Sequence, residues 1–144
     1  MVFARRFGSF LEVSVEVNPV VGEFGPRGNL FLVRETERLP AVSLGTSSDR
    51  LGTKKGMRSY YATASKTVAP LRMAPYVSLN WSQTDDGFNV PFGTNVYFGR
   101  RFTMLAMYDG HYTHLVPSRS WGAVTTSLVL ARMEYWGVSV GVEF

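Results

Sequence analysis

"EYWGVSVGVEF", Glu134 to Phe144, decides how the chain is read. From Trp136 onward every second residue is apolar: Trp136, Val138, Val140, Val142 and Phe144. Gly137, Ser139, Gly141 and Glu143 alternate with them. Side chains of a strand point alternately to its two faces, so this segment has one apolar face and one small or polar face.

The same period recurs upstream. Leu11, Val13, Val15 and Val17 alternate with Glu12, Ser14 and Glu16; Met73, Val77, Leu79 and Trp81 lie opposite Tyr76, Ser78, Asn80 and Ser82; Phe92, Val96 and Phe98 lie opposite Gly93, Asn95 and Tyr97. Helical periodicity is nearly missing. Apolar residues recur at three and four only in "GAVTTSLVLARMEYW", where Val124, Thr125, Thr126 and Val129 favour a strand. Turn signals fall about every ten residues, as in "NPVVGEFGPRGN", "SSDRLGTKKG", "TDDGFN" and "YDGH". Ten strands are expected, at about 7–17, 28–36, 39–47, 57–68, 72–83, 91–99, 101–108, 111–117, 121–131 and 134–144. One domain over residues 1–144 accommodates them, because no linker composition divides the chain.

Composition narrows the class. Cysteine is absent, which removes disulfides and thiolate metal sites. The fifteen basic residues are scattered and the net charge is +4, so no basic arm suggests nucleic acid. No apolar run is long enough for a transmembrane helix. "MVFARRFGSF" lacks the apolar core of a signal peptide, so a secreted protein would be seen here with that segment already removed.

Three patterns distinguish a soluble sandwich from a membrane barrel. The second faces are Gly, Ser, Thr, Asn and Tyr, suited to a cramped polar lumen and not to a charged, solvated surface; in a membrane barrel the apolar set faces lipid. Trp81, Phe92, Tyr108 and Trp136 fall near one rim and Phe98, Phe102 and Phe144 near the other, like paired aromatic girdles. Connections alternate long and short, with 18–27, 48–56 and 84–90 long and 36–38 and 69–71 short. The expected architecture is an all-β, antiparallel, up-and-down transmembrane β-barrel of about ten strands, with eight as the alternative. An even count would put both termini on the periplasmic side.

The final strand, on Trp136, Gly137, Val138, Val140, Val142 and Phe144, resembles the C-terminal signal of bacterial outer-membrane β-barrel proteins. That resemblance implies the outer membrane of a Gram-negative envelope, insertion by the barrel-assembly machinery, and contact with the lipid bilayer. "ERLPAVSLGTSSDRLGTKKGMRSYYATASKT" is similar to hairpins of YjbH-like, exopolysaccharide-associated barrels through Pro40, Ala41, Gly45, Asp49, Tyr60, Tyr61, Ser65 and Lys66. Those proteins are much longer, and no activity is carried over.

Candidate chemistry is sparse. Asp109, His111 and His114 stand close together, but two His three apart on a strand face opposite ways and do not share a metal. Asp109-Gly110 reads as a turn. Ser118 and Ser127 could join a His in a hydrolase site, though nothing marks either as a nucleophile. Glu12, Glu16, Arg34, Asn80, Asn95 and Glu143, with Arg101, are expected to line the lumen, where charges must pair. Tyr76, Tyr97, Leu105 and Met107 also point inward on this register. Arg50, Lys54, Lys55 and Arg58 form a candidate contact for lipopolysaccharide phosphates. Two stretches fit poorly: inward Leu105 and Met107, and "NLFLVRETE", apolar on both faces at its start.

The expected function is therefore non-enzymatic and cofactor-free: a structural or anchoring element, or narrow channel, of the envelope, with other envelope proteins as candidate partners. The alternatives are a soluble barrel around an apolar ligand and an outer-membrane lipid hydrolase or acyltransferase.

Overall fold

The computed structural model describes residues 2–18, 23–49, 54 and 56–143. Phe144, Arg50 and Lys55 lie outside the described residues. The chain forms β1 (Val2–Phe7), β2 (Leu11–Asn18), β3 (Glu23–Val33), β4 (Ala41–Ser48), β5 (Arg58–Ser65) and β6 (Met73–Ser82). Then follow β7 (Gly87–Asn89), β8 (Phe92–Tyr97), β9 (Phe102–Tyr108), β10 (Thr113–Trp121), β11 (Val124–Ala131) and β12 (Tyr135–Glu143). One 3₁₀ turn, Ala69–Leu71, precedes β6.

These strands close into an all-β barrel. Each pairs with its sequence neighbours, β5 meets β6, and β1 meets β12 to complete the ring. β7 and β8 act as one wall strand: Val77↔Phe92 and Asn80↔Asn89 continue a single register along β6. The interruption falls at Pro91, which has no N–H to give the ladder but still accepts from Ser78 N–H at 2.8 Å. Eleven strands therefore surround the lumen, close to the ten expected.

The extra strand comes from the N-terminus. The strand expected at 7–17 is β2, which starts only at Leu11; Val2–Phe7, expected as no strand, forms β1, and Gly8 at φ +60° turns the chain between them. The odd count makes the β1–β12 seam parallel, through Val2↔Gly141, Phe3↔Val142 and Ala4↔Glu143. The sheet is mixed and not wholly antiparallel, and the parity argument for placing both termini at one rim fails. β1 starts level with Gly141, partway up β12.

Loop lengths also differ from expectation. "EFGPRGN" is part of β3, not a turn, with Val15↔Pro26 and Glu12↔Asn29 in register. Gly25 meets a wall need, since a Cβ there would lie 2.2 Å from Ser48 Oγ, whereas Gly28 faces open space. β3 ends at Val33, so the connection at the C-terminal rim is 34–40, and the next there is 66–72. The opposite rim carries 49–57 and 83–86. Length no longer separates the two ends.

The doubly apolar "NLFLV" is explained by an irregularity between Phe31 and Val33. Phe31 stays inward beneath the Arg6 guanidinium, 5.9 Å from its ring centre, while Leu32 and Val33 are both exposed outside.

The interior is filled by small and polar groups. No described apolar side chain is fully buried; the buried set is Ser14, Ser59, Ser78, Asn80, Ser82 and His114. Inward hydroxyls satisfy one another across strands, as Thr63–Ser78 at 2.6 Å, Ser118–Ser127 at 2.8 Å and Ser120–Thr125 at 3.0 Å. Two tyrosines lie over glycines of the neighbouring strand. Tyr61 covers Gly45 and donates to Asn29 Oδ1 at 2.7 Å; Tyr76 faces Gly93.

These pairs yield a graded prediction. A Cβ on Gly93 meets backbone, Ala106 O at 2.5 Å and Met107 Cα at 2.9 Å, which cannot step aside. On Gly45 it meets the Tyr61 ring at 2.4 Å, and on Gly28 it meets nothing within 4 Å. Gly93→Ala should cost about 3 kcal/mol, Gly45→Ala about 1–2 kcal/mol, and Gly28→Ala close to nothing. Urea midpoints of the refolded variants give the order; equal midpoints for all three would refute it.

Candidate functional site

The barrel wall itself is the feature on which most expected residues converge. Its outer face is apolar. Phe3, Val13, Val15, Leu30, Leu44, Val77, Leu79, Leu128, Trp136 and Val138 are exposed there, Trp136 at 66% and Val138 at 78%. Gly137, Ser139, Gly141 and Glu143 face inward, since Gly141 and Glu143 stand beside Val2 and Ala4 on the lumen side of β1. The two faces of the closing strand are thus placed as the alternation expects, with Val138, Val140 and Val142 outward.

The expected girdle aromatics among the described residues lie on the outer surface. Trp81 packs with Tyr60 at 5.9 Å between ring centres, and Phe92 with Tyr108 at 5.4 Å. Trp81 and Tyr108 end their strands at the rim opposite the C-terminus, and Trp136 starts β12 there. Phe92 lies lower in the wall than expected, because its strand begins at Gly87. Phe98 and Phe102 sit at the C-terminal rim with Trp121, all three exposed.

The lumen residues divide. Glu12 accepts from Arg6 Nη2 at 2.9 Å, and Glu16 lies 3.9 Å from Arg27 Nη1, so these inward carboxylates are paired across strands. Asn80 donates to Asn89 Oδ1 at 3.1 Å. Asn95 and Glu143 occupy inward positions. Arg34 does not: β3 stops at Val33, and Arg34 is exposed on the 34–40 connection. Arg101 is likewise exposed, in the turn before β9. Leu105 and Met107 do point inward, and Val116 and Val129 share that side of the wall, giving the lumen one apolar patch on β9–β11.

The 49–58 rim is only partly free for a ligand. Lys54 is exposed, whereas Arg58 donates to Thr46 Oγ1 at 3.1 Å, and its backbone N–H donates to Gln83 at 2.7 Å. At the other rim Lys66 donates to the carbonyls of Thr36, Glu37 and Leu39, and Glu35 accepts from Thr67 N–H at 2.8 Å and its hydroxyl at 2.9 Å. Lys66, just after the end of β5, therefore organises the 34–40 loop.

Sequence reasoning missed a polar chain round the rim opposite the C-terminus. Asp49 accepts from Ser82 Oγ at 2.7 Å and Thr84 N–H at 3.1 Å; Ser82 Oγ accepts from Asp85 N–H at 3.2 Å. Asp85 lies 3.0 Å from His111 Nε2. Asp109 takes the N–H groups of His111 and Tyr112 on Oδ1, at 2.8 and 2.7 Å, and faces His114 Nε2 at 2.8 Å through Oδ2. His114 Nδ1 in turn accepts the Arg132 N–H at 3.2 Å, so Nε2 bears the proton given to Asp109.

That last contact holds a strained turn. Arg132 and Met133 both have positive φ, 55° and 58°, which non-glycine residues rarely adopt. The Arg132 guanidinium also lies 4.3 Å over the Tyr112 ring. His114 is 3% exposed and spends both ring nitrogens on this scaffold. It is not set against Ser118 or Ser127, whose hydroxyls meet each other. His111 sits in the turn and not on β10, which begins at Thr113. The links from Asp109 to His111, Tyr112 and His114 are local, within the cluster visible in the sequence; those of Asp49 to Ser82 and Thr84, of Asp85 to His111 and of His114 to Arg132 join segments distant in sequence and were not legible.

Comparison with protein-family models, with curated proteins and with solved structures finds no match to this chain.

Asp109 gives the rim a pH signature. Burial pushes its carboxyl up, but the Tyr112 N–H, His114 and the His111 N–H together outweigh burial and hold it below the ordinary carboxylate value. A depressed group stabilises the fold above its unfolded value of about 3.9 and loses that contribution as pH falls through the folded one. Wild type should therefore exceed Asp109→Asn in urea midpoint at pH 7, with the gap closing below about pH 4. A gap independent of pH down to about pH 2 would show that the charge plays no part.

Proposed function

We propose that the chain is a small outer-membrane β-barrel of a Gram-negative envelope, serving as a wall or anchoring element and not as an enzyme. The observation that carries this reading is the inversion of the barrel. Small polar side chains fill its interior, and large apolar ones such as Val138, Trp136, Leu79 and Phe92 stand exposed around it. In water such a continuous apolar exterior promotes aggregation; against lipid chains it is the favourable surface. Closure supports the same reading, because a ring of strands satisfies backbone groups that lipid cannot. A soluble barrel around an apolar ligand needs the opposite arrangement. The paired charges Arg6–Glu12 and Arg27–Glu16 and the Tyr61–Asn29 bond cross the lumen side of β1–β5, favouring a plugged interior over a wide channel.

The C-terminal strand would then enter through the barrel-assembly machinery, and the rim bearing Lys54 and Arg58 would face lipopolysaccharide. Two measurements test the membrane assignment together. Protein refolded into detergent should migrate differently on a gel with and without boiling. Val138→Arg, at a highly exposed position, should cost about 2–4 kcal/mol in a lipid-embedded barrel and close to nothing on a water-facing surface. Solubility without detergent, no mobility shift and a neutral Val138→Arg would overturn the reading.

A further inference from the structure

Outward-facing positions of the described strands carry no carboxylate, and their charges are three arginines, Arg5, Arg58 and Arg119. Arg58 is at the rim opposite the C-terminus and has a protein acceptor in Thr46. Arg5 and Arg119 lie toward the C-terminal rim, and each rests on an aromatic ring instead of an acid. Arg5 is 5.4 Å from the Phe7 ring centre. Arg119 lies between two rings, 3.7 Å from Trp121 and 5.2 Å from Phe102. Its Nε is enclosed with no hydrogen-bond partner.

We propose that Arg119, clamped by Phe102 and Trp121, binds the headgroup phosphate of a glycerophospholipid in the leaflet at the C-terminal rim; this rests on the outer-membrane reading above. Contact with the two rings holds the guanidinium at little further entropic cost, and its terminal Nη groups, unlike the enclosed Nε, are the donors left to a ligand. That edge is the part of the group that matches two phosphate oxygens. The depth is also right. Arg119 stands two residues from the end of β10 on the face that carries Trp121, where amphipathic rings mark the headgroup level. Ser120 N–H donates to Arg101 O at 2.9 Å, so the turn bearing exposed Arg100 and Arg101 lies alongside and adds positive potential. An unpaired guanidinium on a lipid face is costly; a phosphate partner at this depth removes the cost.

The test is native mass spectrometry of the refolded protein in detergent with added phosphatidylglycerol, against a galactosyl diacylglycerol that lacks phosphate. Wild type should retain phosphatidylglycerol in preference to the galactolipid. Arg119→Gln should bind it about tenfold more weakly, Arg119→Lys should fall between, and Arg38→Gln, on the 34–40 loop of the same rim, should match wild type. Gel mobility with and without boiling confirms that each variant is folded. If the variants shift normally but Arg119→Gln retains the lipid like wild type, the phosphate site is wrong while the membrane reading stands. Displacement of the lipid by millimolar inorganic phosphate overturns the lipid assignment in favour of a free-anion site. A chain that needs no detergent and shows no shift defeats the membrane reading itself.

Discussion

Three residue pairs between β1 and β12 turn a sheet into a barrel, and the rest of the molecule is shaped by that closure. Every other pairing joins sequence neighbours in the wall and would exist in an open sheet. Without Val2↔Gly141, Phe3↔Val142 and Ala4↔Glu143 the sheet has two edges of unpaired backbone groups. With them, inward side chains from eleven strands must share a narrow space, and the sequence answers with Gly, Ser and Thr. Tyr61 over Gly45 and Tyr76 over Gly93 show the rule at work: a large ring is admitted where the neighbouring strand gives up its Cβ. The hydroxyl pairs follow from the same crowding, since each buried O–H needs a partner and the nearest atom is another hydroxyl.

The two ends are finished by different chemistry. At the rim opposite the C-terminus, carboxylates at 49, 85 and 109 bind backbone N–H groups and imidazoles and tie four connections into one network. At the C-terminal rim a cation does the gathering, as Lys66 draws in three carbonyls of the 34–40 loop. At the first end Asp109 carries an acid-sensitive contribution to stability, where the network passes from the 109–112 turn to the strained Arg132-Met133 turn.

Face assignment and the closed, neighbour-to-neighbour barrel order were legible in the sequence; the odd strand count with its parallel seam was not. The period of two in β2, β6, β8 and β12 identified inward and outward residues correctly, because a strand has only two faces and one slip would invert all of them. The split at Gly8 was hidden because apolar residues continue on both sides of the turn, as Phe7, Phe10 and Leu11. "EFGPRGN" carries the composition of a turn, yet Gly25 serves a crowded wall, and composition cannot distinguish those needs. Arg34 was misplaced by extending β3 past Val33, an error of boundary and not of face. Arg119 was readable by parity, since it shares a face with Leu115 and Trp121, but a lone outward arginine draws notice only once its flanking rings are known to touch it. The rim network was legible only within residues 109–114; its links to Asp49, Asp85 and Arg132 are contacts between distant segments and had no local signature.

Wall height and charge placement bear jointly on the proposed membrane setting. β10 and β12 have nine residues each and β6 has ten. Nine residues at about 3.3 Å each, tilted by roughly 40°, rise about 23 Å, close to the ~25 Å apolar band of an outer-membrane barrel. Outward charges obey the same limit. Arg58 begins β5 and Arg119 stands near the end of β10, while the outward positions between the rims, such as Leu79, Met104, Leu128 and Val138, are uncharged. A soluble barrel has no reason to keep charge from the middle of its exterior, where lysine and glutamate would improve solubility at little cost to stability. On the proposed outer-membrane reading, lipid would impose that exclusion and relax it only at headgroup depth, so that aromatic-capped arginine at the rim and bare valine at mid-height would be two results of one depth-dependent cost.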